Sequence, residues 1–252
     1  MSPHPDSVSP SSSPEVDTGG SLRHQPSEAP LEKVLEIGFI GGTGPQGKGL
    51  AYQFARAGHR VLIGSRSLER AQATATEIRA RLPAATAVGA TNETAAAKTQ
   101  VIVVAIPYAG HAETVRSLRP VLAGKIVVSC VNPLGFDRTG PFGLAVPDGS
   151  AAEEAGRITP ESRVVGAFHH VSAVNLWRDG DTLSHEDILV CGDDDEAKTV
   201  VLQLARSVGH RGVDVGALRM ARILEPLTAV LVSVNKRYQT RSGVALVGLP
   251  TS

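Results

Sequence analysis

The sequence predicts an α/β protein with a doubly wound parallel sheet and a small, largely helical C-terminal domain. From residue 35 onward, short apolar or β-branched runs alternate with helical stretches, which is typical of βαβ units. Residues 101–106 (VIVVAI) are apolar throughout, as expected of a central parallel strand covered on both faces. The chain has 252 residues, of which 42% are hydrophobic, so it is long and apolar enough to bury a large core.

The N-terminal 34 residues differ from the rest and are predicted to be a disordered tail. Residues 1–30 contain eight Ser and six Pro, no aromatic residue, and four acids against one Arg. Such a composition buries too little apolar surface to offset the entropy lost on ordering. The segment also has no basic stretch followed by an apolar one, so we do not expect a signal peptide. Because the whole chain is neutral, the remainder is slightly basic.

Five strand–helix repeats are predicted in the first half of the chain. The predicted strands are the apolar or β-branched runs at 35–41, 59–64, 86–89, 101–106 and 125–129. The predicted helices follow the turn 42–47 up to about residue 57, span 68–81, begin at Asn92, and lie near 110–118. Gly58 and Pro83 are expected to end the first two helices. These repeats, together with a strand predicted at 163–168, place the first folded domain at residues 35–168.

The second half of the chain is predicted to add a domain at residues 169–252. Residues 133–149 contain seven Gly and Pro, so they are predicted to form an irregular loop. Further strands are predicted at 163–168 and 187–191. The acidic run 193–196 is expected to open a helix that Gly209 ends, and a long helix is predicted at 217–238.

The first predicted strand leads into a glycine-rich turn of the G-x-G-x-x-G type. It comprises Gly42, Thr43, Gly44, Pro45, Gln46 and Gly47. In this motif the first glycine permits a tight turn, the second admits a pyrophosphate, and the third lets helix and strand pack closely. The phosphates then bind at the positive end of the helix that follows. Since strand, spacing and helix agree, the motif predicts a Rossmann-type dinucleotide site rather than a plain turn.

The end of the second predicted strand favours NADP over NAD. An NAD-binding protein usually has a ribose-binding carboxylate about 20 residues beyond the loop. This chain instead has Ser65 and Arg66, with Arg70 one helical turn further on. A hydroxyl and two guanidinium groups are suited to a 2′-phosphate, because arginine binds phosphate through paired hydrogen bonds.

Residues typical of acid–base, hydrolytic or zinc chemistry are few. No Tyr is followed four residues later by Lys, and the G-x-S-x-G, H-E-x-x-H and C-x-x-C patterns are absent. Two cysteines are too few for a disulfide framework, and the neutral charge argues against nucleic-acid binding. The longest apolar run is far too short to cross a membrane. A nicotinamide enzyme without an evident proton donor is best explained by a hydride acceptor that is itself a redox cofactor.

Three histidines follow predicted strands at the edge where ligands bind in open α/β sheets. His111 follows the fourth strand, and His169 and His170 follow the sixth. At this point the sequence resembles a known family, the NADP-dependent reductases of the deazaflavin coenzyme F(420), or F(420)H2:NADP oxidoreductases. The resemblance covers about residues 37–249. Its specific segments are GGTGPQGKGLA at 41–51, IGSR at 63–66, AIP with His111, KIVVS at 125–129, AFHHVSA at 167–173 and VCGDDDEAK at 190–198.

The resemblance implies direct hydride transfer between nicotinamide C4 and deazaflavin C5. It implies that the NADP 2′-phosphate is bound by Thr43, Ser65, Arg66 and Arg70, and the pyrophosphate by the loop residues Gly44, Pro45 and Gln46. It implies nicotinamide contacts at Ile106, His111, Asn132 and Ala173. It implies deazaflavin contacts at His169, Val171 and the segment that begins at Gly243. The loop 133–149 and residues 244–249 depart from the family pattern.

Two alternatives to the deazaflavin reductase stay open at this stage. One is an NADPH-dependent reductase of a small imine or ketone, which would need a proton donor. The other is a non-catalytic NADP(H) sensor that binds a protein partner. In each case we expect a cytoplasmic protein, with the apolar helix 223–234 as a possible homodimer contact. We further expect His169 to shape the substrate pocket rather than to act as an obligatory acid.

Overall fold

The computed structural model describes residues 34–178 and 186–249, so the predicted tail at 1–34 lies almost wholly outside the described residues. A central sheet of eight strands has the order β10-β9-β8-β5-β4-β1-β2-β3. Its strands are β1 (Glu36–Ile40), β2 (Arg60–Ser65), β3 (Ala87–Thr91), β4 (Val101–Val104), β5 (Ile126–Ser129), β8 (Arg163–Gly166), β9 (Asp187–Gly192) and β10 (Arg211–Asp214). A separate two-stranded sheet pairs β6 (Leu134–Asp137) with β7 (Gly140–Gly143).

Helices connect these strands along the described chain. They are α1 (Pro45–Arg56), α2 (Leu68–Arg81), α3 (Asn92–Lys98), α4 (His111–Leu122), α5 (Ala151–Ile158), α6 (Ala173–Leu176), α7 (Asp195–Ser207) and α8 (Ala221–Tyr238), with a 3₁₀ turn at Leu218–Met220. None of the helices in the described part of the chain has the length and apolar character needed to cross a bilayer.

Side chains that alternate along the strands fill two apolar layers, one on each face of the sheet. In β4, Val101 and Val103 belong to the layer that contains Phe54 of α1. Ile102 and Val104 belong to the opposite layer, together with Val115 of α4. Because both faces are covered by helices, the doubly wound α/β fold predicted from the sequence is confirmed.

The strand order reverses between β1 and β4. Both pair in parallel with their neighbours, β1 with β2 on one side and with β4 on the other. The chain therefore leaves these two strands in opposite directions, which opens a crevice at their carboxyl ends. Ligands of doubly wound sheets bind at this switch point.

The region predicted as the C-terminal domain also contributes to the central sheet. Strand β9 pairs antiparallel with β8, with Gly166 opposite Cys191, and β10 pairs parallel with β9. The described part of residues 169–252 thus combines two sheet strands with α7 and α8. The division into domains at residue 168 stays a prediction.

The prediction of an irregular loop at residues 133–149 was wrong, because β6 and β7 form a hairpin there. Asp137 closes its turn: one carboxylate oxygen accepts hydrogen bonds from the backbone N–H groups of Thr139 at 2.7 Å and Gly140 at 3.1 Å. Gly143 packs directly on α8, since a Cβ atom at this position would lie 2.8 Å from the Cβ of Pro226. The hairpin is therefore docked on the last helix.

Candidate cofactor and substrate site

The glycine-rich turn lies at the switch point, between the end of β1 and the start of α1. Two of its glycines are required by packing within the protein. A Cβ atom at Gly42 would lie 2.8 Å from the Cβ of Phe39, and one at Gly47 would lie 2.7 Å from the carbonyl oxygen of Gly41. These glycines perform the roles of tight turn and close helix–strand contact that the motif predicts.

Gly44 is different, because the protein itself leaves room for a side chain there. A Cβ atom at Gly44 would lie 3.5 Å from its nearest neighbour, the carbonyl oxygen of Gly41, which is an ordinary contact. Its φ of −74° is accessible to any residue. The fold alone therefore does not explain a glycine at this position, whereas a pyrophosphate that approaches the backbone closely does.

The first turn of α1 is also suited to binding an anion. Its N-cap, Gly44, provides no side-chain hydrogen bond, and the first turn contains no acidic residue. By contrast, α2 and α7 are capped by Ser67 and Asp194, and both have acidic residues in their first turns. Free N–H groups at the positive end of a helix bind phosphate.

Polar groups that could hold a 2′-phosphate lie at the end of β2. The hydroxyl oxygens of Thr43 and Ser65 are 3.5 Å apart, and Ser65 is buried. Arg66 and Arg70 are exposed, and among the described residues neither guanidinium has an ion-pair partner. Of the four residues that the resemblance associates with the 2′-phosphate, the structure thus brings Thr43 and Ser65 together, with Arg66 next in the chain and Arg70 in the first turn of α2.

A cavity of about 350 Å³ lies beside this loop and is bounded by residues from both halves of the chain. Five residues predicted from the sequence contribute to its wall, namely Gln46, Asn132, His169, Val171 and Ala173. Among the described residues that line it none is Phe, Tyr or Trp, and the rings present are those of His169 and His170. Aliphatic side chains in the wall, such as Val171 and Ala173, leave space for a flat ring.

Hydrogen bonds from three elements hold the histidine segment after β8 in place. Gln46 donates from its side-chain amide to the carbonyl oxygen of Phe168 at 3.0 Å. Asn132 donates to the carbonyl oxygen of His169 at 2.8 Å, and Thr228 of α8 donates to the same oxygen at 2.9 Å. Two predicted contact residues, Gln46 and Asn132, therefore also position the wall of the cavity.

His169 is 2% exposed, and at least one of its two ring nitrogens has no hydrogen-bond partner within the described structure, since the backbone of Val131 can bond to only one of them. Burial, with a smaller contribution from the neighbouring His170, lowers the pKa of His169 to about 3. The ring is therefore neutral at physiological pH. A buried ring nitrogen that the protein leaves without a partner is suited to a polar atom of a bound ligand.

Three predicted contact residues lie outside the cavity wall. Ile106 packs against the loop, where a Cβ atom at Gly41 would meet its Cγ2 at 2.5 Å. His111 is fully buried, with its Nδ1 2.6 Å from a carboxylate oxygen of Glu154. Gly243 lies against the side chain of Glu186, one residue beyond Ser242, which does line the cavity. Ligand contacts at these three residues stay predictions.

Sequence reasoning missed the contribution of the last helix and the residues after it. The cavity is also lined by Thr228, Leu231, Asn235, Arg241 and Ser242. The first three of these recur at helical spacing on one face of α8, and two of them, Thr228 and Asn235, are polar and flank the largely apolar stretch 229–234. The spacing of these residues could have indicated from the sequence that α8 contributes to the site.

The chain is similar to proteins of one family along nearly its whole described length. The family described as "NADP oxidoreductase coenzyme F(420)-dependent" matches residues 36–133. The F(420)-dependent NADP reductase of Methanocaldococcus jannaschii is 38% identical over 224 residues, covering 85% of this chain and 99% of that protein. The protein of the same name from Methanothermobacter thermautotrophicus is 36% identical over 225 residues, covering 86% of this chain and 97% of the relative.

A solved structure of a related protein is also similar to this chain. The crystal structure of a candidate F(420)-dependent NADP reductase from Arthrobacter sp. FB24 superposes with a TM-score of 0.71 at 27% sequence identity. The superposition covers 85% of this chain and 100% of the Arthrobacter chain. Together with the phosphate loop and the cavity beside it, these similarities show that the chain belongs to the F(420)-dependent NADP reductase family.

Proposed function

We propose that this protein is an oxidoreductase that transfers a hydride directly between NADP(H) and the deazaflavin coenzyme F(420). The main observation behind the proposal is that two features of the site lie side by side. A phosphate loop of the NADP-binding type lies next to a cavity of about 350 Å³, and Gln46 belongs to both. Two relatives named F(420)-dependent NADP reductase match 85% and 86% of this chain and 99% and 97% of their own length.

The NADP half of the site is supported by the loop and by the end of β2. Gly44 and the uncapped first turn of α1 accommodate the pyrophosphate, with Pro45 and Gln46 in that turn. Thr43, Ser65, Arg66 and Arg70 would hold the 2′-phosphate. Ile106, His111, Asn132 and Ala173 would contact the nicotinamide.

The deazaflavin half is supported by the cavity. Its wall at Val171 and Ala173 offers small side chains, so two flat rings can approach each other closely. When both are bound, NADP(H) and F(420) supply the hydride donor and the hydride acceptor. The task of the protein is then to orient them, and holding two reactants in near-attack geometry supplies about 7–11 kcal/mol of barrier reduction.

Acid catalysis by the protein is not required in this account. His169 lies in the cavity wall, yet burial holds its pKa at about 3, so it has no proton to donate near neutral pH as an imidazolium. We therefore assign His169 to shaping the pocket through its ring and its carbonyl oxygen, which accepts hydrogen bonds from Asn132 and Thr228.

We also propose that the protein is a homodimer that associates through the hairpin and α8. Phe136 is 68% exposed, and Ile223 and Val230 of α8 are 62% and 55% exposed. The hairpin and α8 pack on each other at Gly143 and Pro226, so these apolar side chains belong to neighbouring elements. Exposed apolar clusters mark association surfaces. Val230→Glu should shift the mass measured by light scattering from dimer to monomer.

The cytoplasmic location and the absence of nucleic-acid binding stay predictions from composition. Both cysteines, Cys130 and Cys191, are free and buried, which is compatible with a reducing compartment.

The proposed activity is tested by mixing the purified protein with NADPH and oxidised F(420) and recording the loss of deazaflavin absorbance. Steady loss with turnover is the expected result. Absorbance that persists at high protein concentration would exclude the deazaflavin reductase. If NADPH still bound under those conditions, the non-catalytic NADP(H) sensor or the imine or ketone reductase would take its place.

A further inference from the structure

The cavity of about 350 Å³ that we assign to the deazaflavin is called the deazaflavin cavity below. A second cavity, of about 480 Å³, adjoins it and shares Arg241 with it. Its other described lining residues are Asn175, Arg178, Gln239 and Thr240. Asn175 lies in α6 and Arg178 follows it, whereas Gln239 to Arg241 follow α8. The second cavity therefore lies beside the first, between the ends of two helices.

The lining of the second cavity carries positive charge. Arg178 and Arg241 contribute two guanidinium groups, and none of the described lining residues is acidic. Both arginines are exposed, and neither forms an ion pair within residues 34–178 and 186–249. A guanidinium group matches the planar geometry of a carboxylate or phosphate and binds either through paired hydrogen bonds.

Arg241 is carried by a segment that is anchored on both sides. Before it, α8 ends at Gln239, whose φ of 52° turns the chain out of the helix. Directly after it, the backbone N–H and the hydroxyl of Ser242 donate to the side-chain oxygen of Asn235 at 2.6 and 2.8 Å. The side chain of Arg241 therefore extends from a backbone segment that is held beside the deazaflavin cavity.

The anchoring continues beyond Ser242 through one buried carboxylate. Asp187 accepts two hydrogen bonds from Arg211 at 2.8 and 2.7 Å, and a third from the backbone N–H of Leu246 at 2.6 Å. The backbone N–H of Asp187 donates in turn to the carbonyl oxygen of Val244 at 2.7 Å. Residues 242–246 are thus tied to the edge of the central sheet.

We infer that Arg178 and Arg241 form a subsite for the anionic tail of the deazaflavin substrate. This inference rests on the proposed function. F(420) bears a tail with a phosphodiester and glutamate carboxylates, and both groups share the chemistry that a guanidinium binds. With the deazaflavin ring in the first cavity, the tail leaves through the second, past Arg241. The subsite selects tailed deazaflavins and takes no part in the hydride step.

The test compares three ligands: complete F(420), a derivative that keeps the phosphodiester but lacks the glutamates, and a deazaflavin without any tail. Equilibrium binding is measured by fluorescence titration for the wild-type protein, Arg241→Gln and Arg178→Gln, and KM and kcat are measured alongside. Arg116→Gln serves as the matched control, since Arg116 is an exposed arginine of α4 away from both cavities.

Each arginine variant should raise the Kd and KM for complete F(420) about three- to tenfold, as expected for exposed charged contacts. In Arg178→Gln, which changes a residue of the second cavity alone, binding of the tailless deazaflavin, the Kd for NADPH and kcat should stay at wild-type values, and Arg116→Gln should change none of these. A loss that persists with the derivative lacking glutamates assigns the contact to the phosphodiester, and a loss that disappears assigns it to the carboxylates.

Equal losses for tailed and tailless ligands in Arg178→Gln, or no loss for complete F(420) in either variant, would overturn the subsite. The proposed function would fail in a different way. In that case the wild-type protein would bind and reduce none of the three deazaflavins, whatever stands at positions 178 and 241.

Discussion

Gln46, the second residue of α1, donates a hydrogen bond from its side chain to the carbonyl oxygen of Phe168, across 3.0 Å. Phe168 has a φ of 61°, an uncommon conformation for a bulky residue, and its ring packs edge-on against Phe54 of the same helix at 5.8 Å. The helix that begins at the phosphate loop therefore holds the turn that leads into His169. The two halves of the proposed site are joined by this contact.

The first prediction concerns that hydrogen bond. Gln46→Ala would leave the carbonyl oxygen of Phe168 without this partner, so we expect the free energy of unfolding to fall by about 1–2 kcal/mol. The KM for F(420) should rise several-fold, because the histidine segment lines the cavity. Gln72→Ala, an exposed residue of α2, is the control. Urea unfolding and initial rates measure both effects, and identical behaviour of the two variants would contradict the prediction.

The second prediction uses the difference between two glycines of the loop. Gly44→Ala should fold normally, since the new Cβ would have only an ordinary contact at 3.5 Å, but it should weaken NADPH binding at least tenfold. Gly47→Ala should lower the melting temperature, because its Cβ would lie 2.7 Å from the carbonyl oxygen of Gly41. Circular dichroism melts and NADPH fluorescence titrations separate the two effects. Undiminished NADPH affinity in Gly44→Ala would show that the loop does not hold the pyrophosphate.

The third prediction concerns the choice between NADP and NAD. Arg66→Ala removes one of the guanidinium groups that we propose for the 2′-phosphate, so it should weaken NADPH binding by about 10- to 100-fold, as expected for hydrogen bonds to a charged group. NADH lacks the 2′-phosphate, so its affinity should change little. Competition titrations of both dinucleotides against the wild type and Arg66→Ala provide the ratio. An equal loss for the two would place the 2′-phosphate elsewhere.

The fourth prediction concerns the pH dependence of stability. The pKa of His169 falls from 6.5 to about 3 on folding, mainly because burial disfavours the charged ring. Between these two values only the unfolded chain binds the proton, so this residue lowers the stability of the folded state as the pH falls below 6.5. Burial lowers the pKa of His59, His170 and His210 too, so these residues act in the same direction.

The contribution of His169 can be isolated with the variant His169→Asn. Between pH 7.5 and pH 5, the wild type should lose about 2 kcal/mol more of its unfolding free energy than the variant does. Glu225 acts in the opposite direction, because burial raises its pKa to about 7, but it is present in both proteins and cancels in the difference. Parallel urea titrations at the two pH values measure the effect. If both proteins lost the same free energy, His169 would not be buried as a neutral ring.

Much of the sheet could be predicted because periodic apolar runs determine it. The all-apolar run at 101–106 became β4, and the predicted helix at 68–81 has the bounds of α2. The hairpin of β6 and β7 was missed because its stability comes from the Asp137 turn and from the contact of Gly143 with Pro226, which is distant in sequence. Strand β10 was missed as well, since Arg211 and Asp214 give it little apolar character.

The residues of the candidate site likewise include some that the sequence could predict and some that it could not. The phosphate loop is a local motif, so its residues could be named from spacing alone. His111 was predicted at the cofactor edge, but its hydrogen-bond partner Glu154 is 43 residues away, so no local sequence pattern could indicate the contact. The contribution of Arg241 and Ser242 to the cavity likewise depends on how the segment after α8 folds back toward β9.

The most direct test of the central claim follows the hydride itself. The protein is incubated in ordinary water with oxidised F(420) and NADPH deuterated at nicotinamide C4, on each face in turn, and the reduced deazaflavin is analysed by mass spectrometry. For direct transfer, one of the two labelled forms should deliver one deuterium per molecule to carbon 5 of the deazaflavin. Reduced deazaflavin that contained only solvent hydrogen with both forms would contradict the proposed reaction.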